Sequence, residues 1–147
     1  MRTMLYEAVF WRPNPKKPSF EDGLALPGVC NALAEFGTRS GDTGVIAQVD
    51  SAPAGAAWYR FYTAENAIRG YIAAAIPVIV IAVHADYRRH GIGDQLLGGL
   101  LEYAARQEID KISLMVSKDN HAVKLYRKCG FVEYTDEGDS LLMVRKI

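Results

Sequence analysis

The run Val78-Ile-Val-Ile-Ala-Val83 constrains this chain more than any other feature. Its β-branched apolar residues do not alternate with polar ones, the pattern of a strand covered on both faces rather than half solvated. It passes through "HADYRRHGIGD" into a segment where Leu96, Leu97, Leu100, Leu101 and Ala104 fall at helical spacing, which predicts a helix over Gly91–Gln107 with one apolar stripe. A second short buried strand, Ile112–Val116, follows that helix. Strand, helix and strand in this order predict a mixed α/β (α+β) sheet with a parallel pair and helices against it.

The remaining elements are read around this unit. Leu5–Trp11 has the spacing of the end of a short helix, and "RPNPKKPS" stops it because proline cannot sit in a helix interior. Phe20–Phe36 is weakly helical and broken at Pro27-Gly28. Val45–Val49 and Ala56–Tyr62 are strands joined by a hairpin connection, "DSAPAG". Asp119–Cys129 is a second helix, capped at its start by Asp119 or Asn120 and ended by Gly130 in a left-handed turn. Phe131–Tyr134 and Leu141–Arg145 form a strand pair across "TDEGD". No repeat or linker divides the 147 residues, so residues 1–147 are expected to be a single domain.

Charge narrows the partners. Lys+Arg and Asp+Glu balance at 17 each, whereas a nucleic-acid binder ordinarily carries a basic excess and interleaved aromatics. No nucleic-acid or membrane partner is expected. The longest apolar run, Tyr71–Val83, is interrupted by Pro77 and is shorter than the roughly 18 residues of a membrane span. The N-terminus lacks a signal-peptide core. Cys30 and Cys129 fit no metal or redox spacing and read as reduced thiols. A cytoplasmic protein without a metal is the expectation.

The turn between strand and helix holds the chemistry. A helix N-terminus offers unpaired N–H groups and a positive dipole end. Glycine removes the Cβ that would keep a phosphate off those amides. With Arg88 adding charge at its mouth, the turn fits a pyrophosphate. A nucleotide P-loop is excluded because Gly-Lys-Ser/Thr is missing, and a dinucleotide fingerprint because Leu96 stands where a small residue is needed. A tight turn that merely requires glycine remains the plain alternative.

Arg88-x-x-Gly91-x-Gly93 resembles the signature of the GNAT superfamily of acetyl-CoA-dependent N-acetyltransferases. "VSKDNHAVKLYRKCGF" (Val116–Phe131) resembles its other recurring segment, with Asn120, Ala122, Leu125, Tyr126, Gly130 and Phe131 in order. The likeness runs from about Pro77 to Phe131 and is looser in "GAAWYRF". It implies a mostly antiparallel sheet with one splayed parallel pair, flanked by helices on both faces. It also implies backbone contacts from Ile81, Ala82 and Val83 to the pantetheine arm, with the Val83 amide placed for an oxyanion. The amides of Arg88, Arg89, His90, Gly91, Ile92, Gly93 and Asp94 would hold the pyrophosphate, and Asn120 would contact the cofactor. Tyr126 would bind near the thioester sulfur and protonate the leaving thiolate. The function implied is acetyl transfer from acetyl-CoA to a primary amine, on a small molecule or a peptide, by direct attack in a ternary complex. Homodimers are common in this family, and "SLLMVRKI" offers an edge for one.

Two departures accompany the likeness. The family commonly places a carboxylate on one of the two splayed strands, and here neither carries one. Glu65, His84 and Asp86 are the remaining candidates to help deprotonate an amine; the plain readings are a solvated loop for Glu65 and a structural role for His84. The chain also begins close to the family's first helix, so the edge strand that precedes it is not expected. Trp11, Trp58 and Tyr62 would line an acceptor pocket or belong to the core. Arg60 would pair an acidic acceptor or be an exposed strand arginine. The rival from another class is a non-catalytic acyl-CoA-binding sensor, favoured by the missing acids and disfavoured by Tyr126. A longer acyl chain is a third alternative.

Overall fold

A computed structural model describes residues 1–147. In chain order the elements are α1 (Arg2–Val9), α2 (Phe20–Ala25), α3 (Pro27–Cys30), β1 (Thr43–Val49), β2 (Ala52–Arg60), β3 (Val78–Val83), α4 (Ile92–Arg106), β4 (Lys111–Ser117), α5 (Ala122–Lys128), β5 (Val132–Glu137) and β6 (Ser140–Lys146). The strands form one six-stranded sheet in the order β1-β2-β3-β4-β6-β5. Every pairing is antiparallel except β3 with β4. The mixed, mostly antiparallel sheet expected from the sequence is the fold observed.

Two apolar layers explain why β3 does not alternate. Ile79 packs with Leu96, Leu97, Leu100 and Leu101 of α4 on one face. Val78 and Ala82 pack with Met4, Leu5, Leu24 and Val29 of α1–α3 on the other. Both faces are therefore packed at Val78, Ile79 and Ala82, while Val80, Ile81 and Val83 are only partly buried. Each fully buried leucine contributes about 1.5–3 kcal/mol relative to an exposed one.

Several boundaries differ from the sequence reading. The hairpin turn is only Asp50-Ser51, with both φ values positive (49° and 66°), the backbone that suits the twist of paired strands. β2 already begins at Ala52 and runs through Pro53, where the β1 register slips between Ala47 and Gln48. An irregularity there is expected, since proline has no N–H for the ladder. Helix α1 ends at Val9, leaving Trp11 outside it. Helix α5 begins at Ala122 rather than Asp119, because Asn120 Oδ1 accepts from the Ala122 N–H at 2.9 Å.

Arg60 overturns both of its sequence readings. It is 0% exposed, so it is neither a surface arginine nor free to meet an acceptor. Its Nε and Nη2 donate to Asp42 Oδ1 and Oδ2 at 2.7 and 2.6 Å, and Nη1 donates to the Ala34 carbonyl at 2.6 Å. Trp58, also 0% exposed, donates Nε1–H to the Ala32 carbonyl at 3.2 Å. Together these side chains pin the irregular segment between α3 and β1 onto the sheet. Neither lines an acceptor pocket.

Candidate active site

Strands β3 and β4 pair at one register position, Val78 with Ser113, and then part. The Ser113 N–H donates to the Pro77 carbonyl at 3.0 Å and closes the slot at that end. On its other edge β3 pairs with β2 throughout, and the His84 N–H donates to the Ala54 carbonyl at 2.8 Å. Antiparallel bonding alternates along a strand. The even-numbered residues of β3 therefore bond to β2, and Ile79, Ile81 and Val83 turn their N–H and C=O groups toward the slot. By the same alternation, Met115 and Ser117 turn theirs toward it from β4, because the Lys118 N–H donates to the Asp139 carbonyl across the β4–β6 edge.

A cleft of 440 Å³ occupies the slot. Its walls include Ile79–Ile81 of β3, Leu114–Ser117 of β4, Asn120 and Tyr126 from the α5 side, and Leu5, Val9 and Trp11 from the α1 side. Of the residues expected along the pantetheine path, Ile81, Asn120 and Tyr126 line the cleft, while the Ala82 and Val83 side chains do not. Tyr126 is buried, with its ring edge-on to Phe131 at 5.9 Å between centroids. Burial raises its pKa well above the ordinary phenol value, so it keeps its proton through the neutral range.

The turn beyond β3 is built from left-handed residues. Arg89 has φ +65° and Gly91 φ +79°. The Arg88 N–H is taken by the Ala85 carbonyl, and the helical ladder of α4 starts with Gln95 N–H to Gly91 O at 3.2 Å. Between them the N–H groups of Arg89, His90, Gly91, Ile92, Gly93 and Asp94 donate to nothing in the chain. The two glycines serve different needs. A Cβ on Gly91 would touch nothing, so its requirement is the backbone angle; a Cβ on Gly93 would meet Leu125 Cδ2 of α5 at 3.2 Å.

Charge around the turn is arranged otherwise than the sequence suggested. The Arg88 guanidinium does not point free at the mouth. Nε donates to the Val83 carbonyl at 3.1 Å and Nη2 to Glu7 Oε2 of α1 at 2.8 Å. Asp94, whose carboxylate would repel an anion, is held by Lys128 Nζ at 2.6 Å. Arg89 is exposed and makes no ion pair, which leaves it as the free cation beside the amides.

No carboxylate lines the cleft. Glu65 is exposed, and a hydrogen bond from Thr63 lowers its pKa, the wrong direction for a base. His84 Nδ1 accepts from the Asp86 N–H at 3.4 Å, within a helical turn. Glu7 and Arg69, which sequence reasoning did not single out, reach the site only through folding. Glu7 braces the turn from 81 residues away in sequence, and Arg69 lines the cleft. Neither carries a local signal beyond its charge.

A strand leading to a nest of free amides, beside a second strand that splays away, is the arrangement that the resemblance to the GNAT superfamily implies. The comparisons agree. A model of the acetyltransferase (GNAT) family matches residues 7–131, and the chain belongs to that family. No curated protein matches at the sequence level. Among solved structures, the PaiA N-acetyltransferase of Thermoplasma acidophilum, in complex with coenzyme A, superposes with TM-score 0.68 at 16% identity, covering 99% of this chain and 90% of that one. The ribosomal-protein-alanine N-acetyltransferase of Brucella melitensis gives TM-score 0.68 at 19% identity, covering 99% and 91%. A GNAT-family acetyltransferase of Streptococcus pneumoniae gives 0.66 at 21%, covering 99% and 92%. At these identities the likeness establishes the fold.

Proposed function

We propose that this chain transfers an acetyl group from acetyl-CoA to a primary amine, on a small molecule or a peptide, by direct attack in a ternary complex. The observation that carries the reading is the run of free amides from Arg89 to Asp94, at the open end of a slot whose wall bears a buried tyrosine. A diphosphate fits that nest, since amides, helix dipole and Arg89 all favour negative charge there. The slot-facing backbone of Ile81 fits an amide-bearing arm, and Asn120 Nδ2 remains available beside it while Oδ1 caps α5.

When bound, the cofactor supplies an acetyl thioester activated toward nucleophiles. Val83 lies against the nest, so a slot-facing N–H deeper along β3 than Val83 donates to the oxygen on which charge develops. Arg88 holds the Val83 carbonyl and so fixes the strand end at the mouth of the slot. The Tyr126 hydroxyl, on the cleft wall, hydrogen-bonds the departing thiolate and passes it a proton as the amine's proton is released. No side chain of the cleft takes a proton from an ammonium, so the acceptor must present a neutral amine; the proton that amine sheds on forming the amide replaces the one Tyr126 gives to sulfur.

Calorimetry with acetyl-CoA, followed by thiol release over an amine panel, tests the reading. Micromolar binding by the wild type, abolished in Gly91→Asp, together with turnover that falls about 10²–10⁴-fold in Tyr126→Phe, is the expected result. Binding without turnover of any amine would leave an acyl-CoA sensor, and no binding would remove the function altogether.

A further inference from the structure

Arg69 is the sole charged side chain on the cleft lining. It is exposed and takes no ion pair or hydrogen bond within the chain. Its position is nevertheless fixed. The next peptide is held by Ser113 Oγ, which donates to the Gly70 carbonyl at 2.7 Å, and Gly70 packs so tightly that a Cβ would meet Val78 Cγ1 at 2.8 Å and Met115 N at 3.2 Å. Arg69 therefore stands at the closed end of the slot. The amides of Arg89–Asp94 lie beyond the other end of β3, and the strand from Val78 to Val83 alone spans roughly 17 Å at about 3.3 Å per residue. Any anion that Arg69 meets is not the one held by those amides.

The rest of the lining is largely apolar. Ile68, next to Arg69 in the chain, lines the cleft with Val29 and with Leu26, which remains 45% exposed. Val9, 42% exposed, and Trp11 line it toward the open end, where Glu7 pairs with Arg88 and Arg12 with Asp119. Large side chains left exposed in a concave site mark where an apolar ligand body packs. A polycationic acceptor would bring ammonium groups into a wall with no counter-charge, which is unfavourable. A carboxylate matches the arginine fork, which can bind it through two parallel hydrogen bonds.

We propose that Arg69 recognises a carboxylate on the acceptor, and that the acceptor is a small amine with an apolar body and an acid group, the chemistry of an apolar amino acid. The inference rests on the acetyl-transfer reading above. The 440 Å³ cleft must also receive the end of the cofactor arm, which suits an acceptor of this size. Arg69 acts on substrate choice and takes no part in bond making.

The test compares wild type, Arg69→Gln and Arg69→Lys in steady-state thiol release with acetyl-CoA and L-phenylalanine, phenylalaninamide, 2-phenylethylamine or spermidine, with an acetyl-CoA titration of each protein. The ratio of kcat/KM for phenylalanine over its amide should fall about tenfold in Arg69→Gln, the scale of one charge-assisted contact. The loss should lie in KM, with partial recovery in Arg69→Lys and acetyl-CoA affinity unchanged. An unchanged ratio, a wild-type preference for spermidine, or weaker acetyl-CoA binding in Arg69→Gln would each overturn the assignment. So would a wild type that turns over other amines but none of the four. Failure of the wild type to bind acetyl-CoA would instead remove the acetyl-transfer reading, and the titration tells the two failures apart.

Discussion

Glu7 on α1 and Arg88 at the end of β3 are joined at 2.8 Å, and through Arg88 Nε the helix is tied to the Val83 carbonyl. One guanidinium thus couples α1, which walls the cleft, to the strand end that leads into the turn. In this arrangement the guanidinium of the signature arginine is already engaged within the chain. Arg88→Gln should therefore weaken acetyl-CoA binding only a few-fold, while kcat falls further because Val83 is no longer held. Calorimetry and single-turnover rates separate the two effects. A loss of affinity beyond a hundredfold would show that the guanidinium leaves Glu7 for the diphosphate.

The left-handed turn yields a paired prediction about stability. Gly91→Ala forces a Cβ into φ +79°, at about 1–2 kcal/mol. For a domain of this size each kcal/mol lowers Tm by about 2–4 °C. Gly93→Ala gains helix propensity but crowds Leu125 Cδ2 at 3.2 Å, so its Tm should stay near that of the wild type. Arg89→Gly should also be nearly neutral, because relief of φ +65° offsets the added chain entropy. Equal losses at Gly91 and Gly93 would mean that backbone angle is not what distinguishes them.

The ion pair beneath β2 governs the acid limit of the fold. Burial pushes the Asp42 carboxyl upward, but hydrogen bonds from Arg60 and from the Gly37 N–H outweigh it, and the group titrates below its ordinary value. A depressed folded pKa gives stability that is present above the unfolded value, near 3.9, and lost as pH falls through the folded one. Tm attributable to this pair should be flat from pH 5 to 8 and decline below about pH 4. Asp42→Ala, which strands a buried guanidinium, should cost about 3–5 kcal/mol, a large share of a total of about 5–15. A shift within 1 °C would show that water reaches Arg60 freely.

These positions also show what could be read in advance. β3 and α4 were legible because their signals are local, a non-alternating β-branched run and a leucine stripe. The free amides were legible because glycine spacing reports backbone shape directly. Arg60 was misread because burial of a charge depends on a partner 18 residues away, and a charged side chain in a strand ordinarily marks solvent. Glu7 escaped for the same reason at longer range. The β1–β2 hairpin was set too wide because Pro53 suggests a turn, whereas the irregular register opposite it lets the strand continue.

The absence of an acid in the cleft makes a prediction about pH. With Tyr126 kept protonated by burial and no carboxylate on the walls, nothing in the site should titrate between pH 6 and 9 to shape the rate. The acceptor's own amine then sets the profile. For a peptide α-amine, with pKa about 7.7–8.0, kcat/KM should rise with unit slope and level off near pH 8; for a lysine-type amine, near 10.4, it should keep rising through that range. His84 does not line the cleft, and its Nδ1 is already engaged by the Asp86 N–H, so His84→Gln should leave both profiles in place. A limb at the same pH for two acceptors of different basicity would reveal a base on the enzyme, and its loss in His84→Gln would name it.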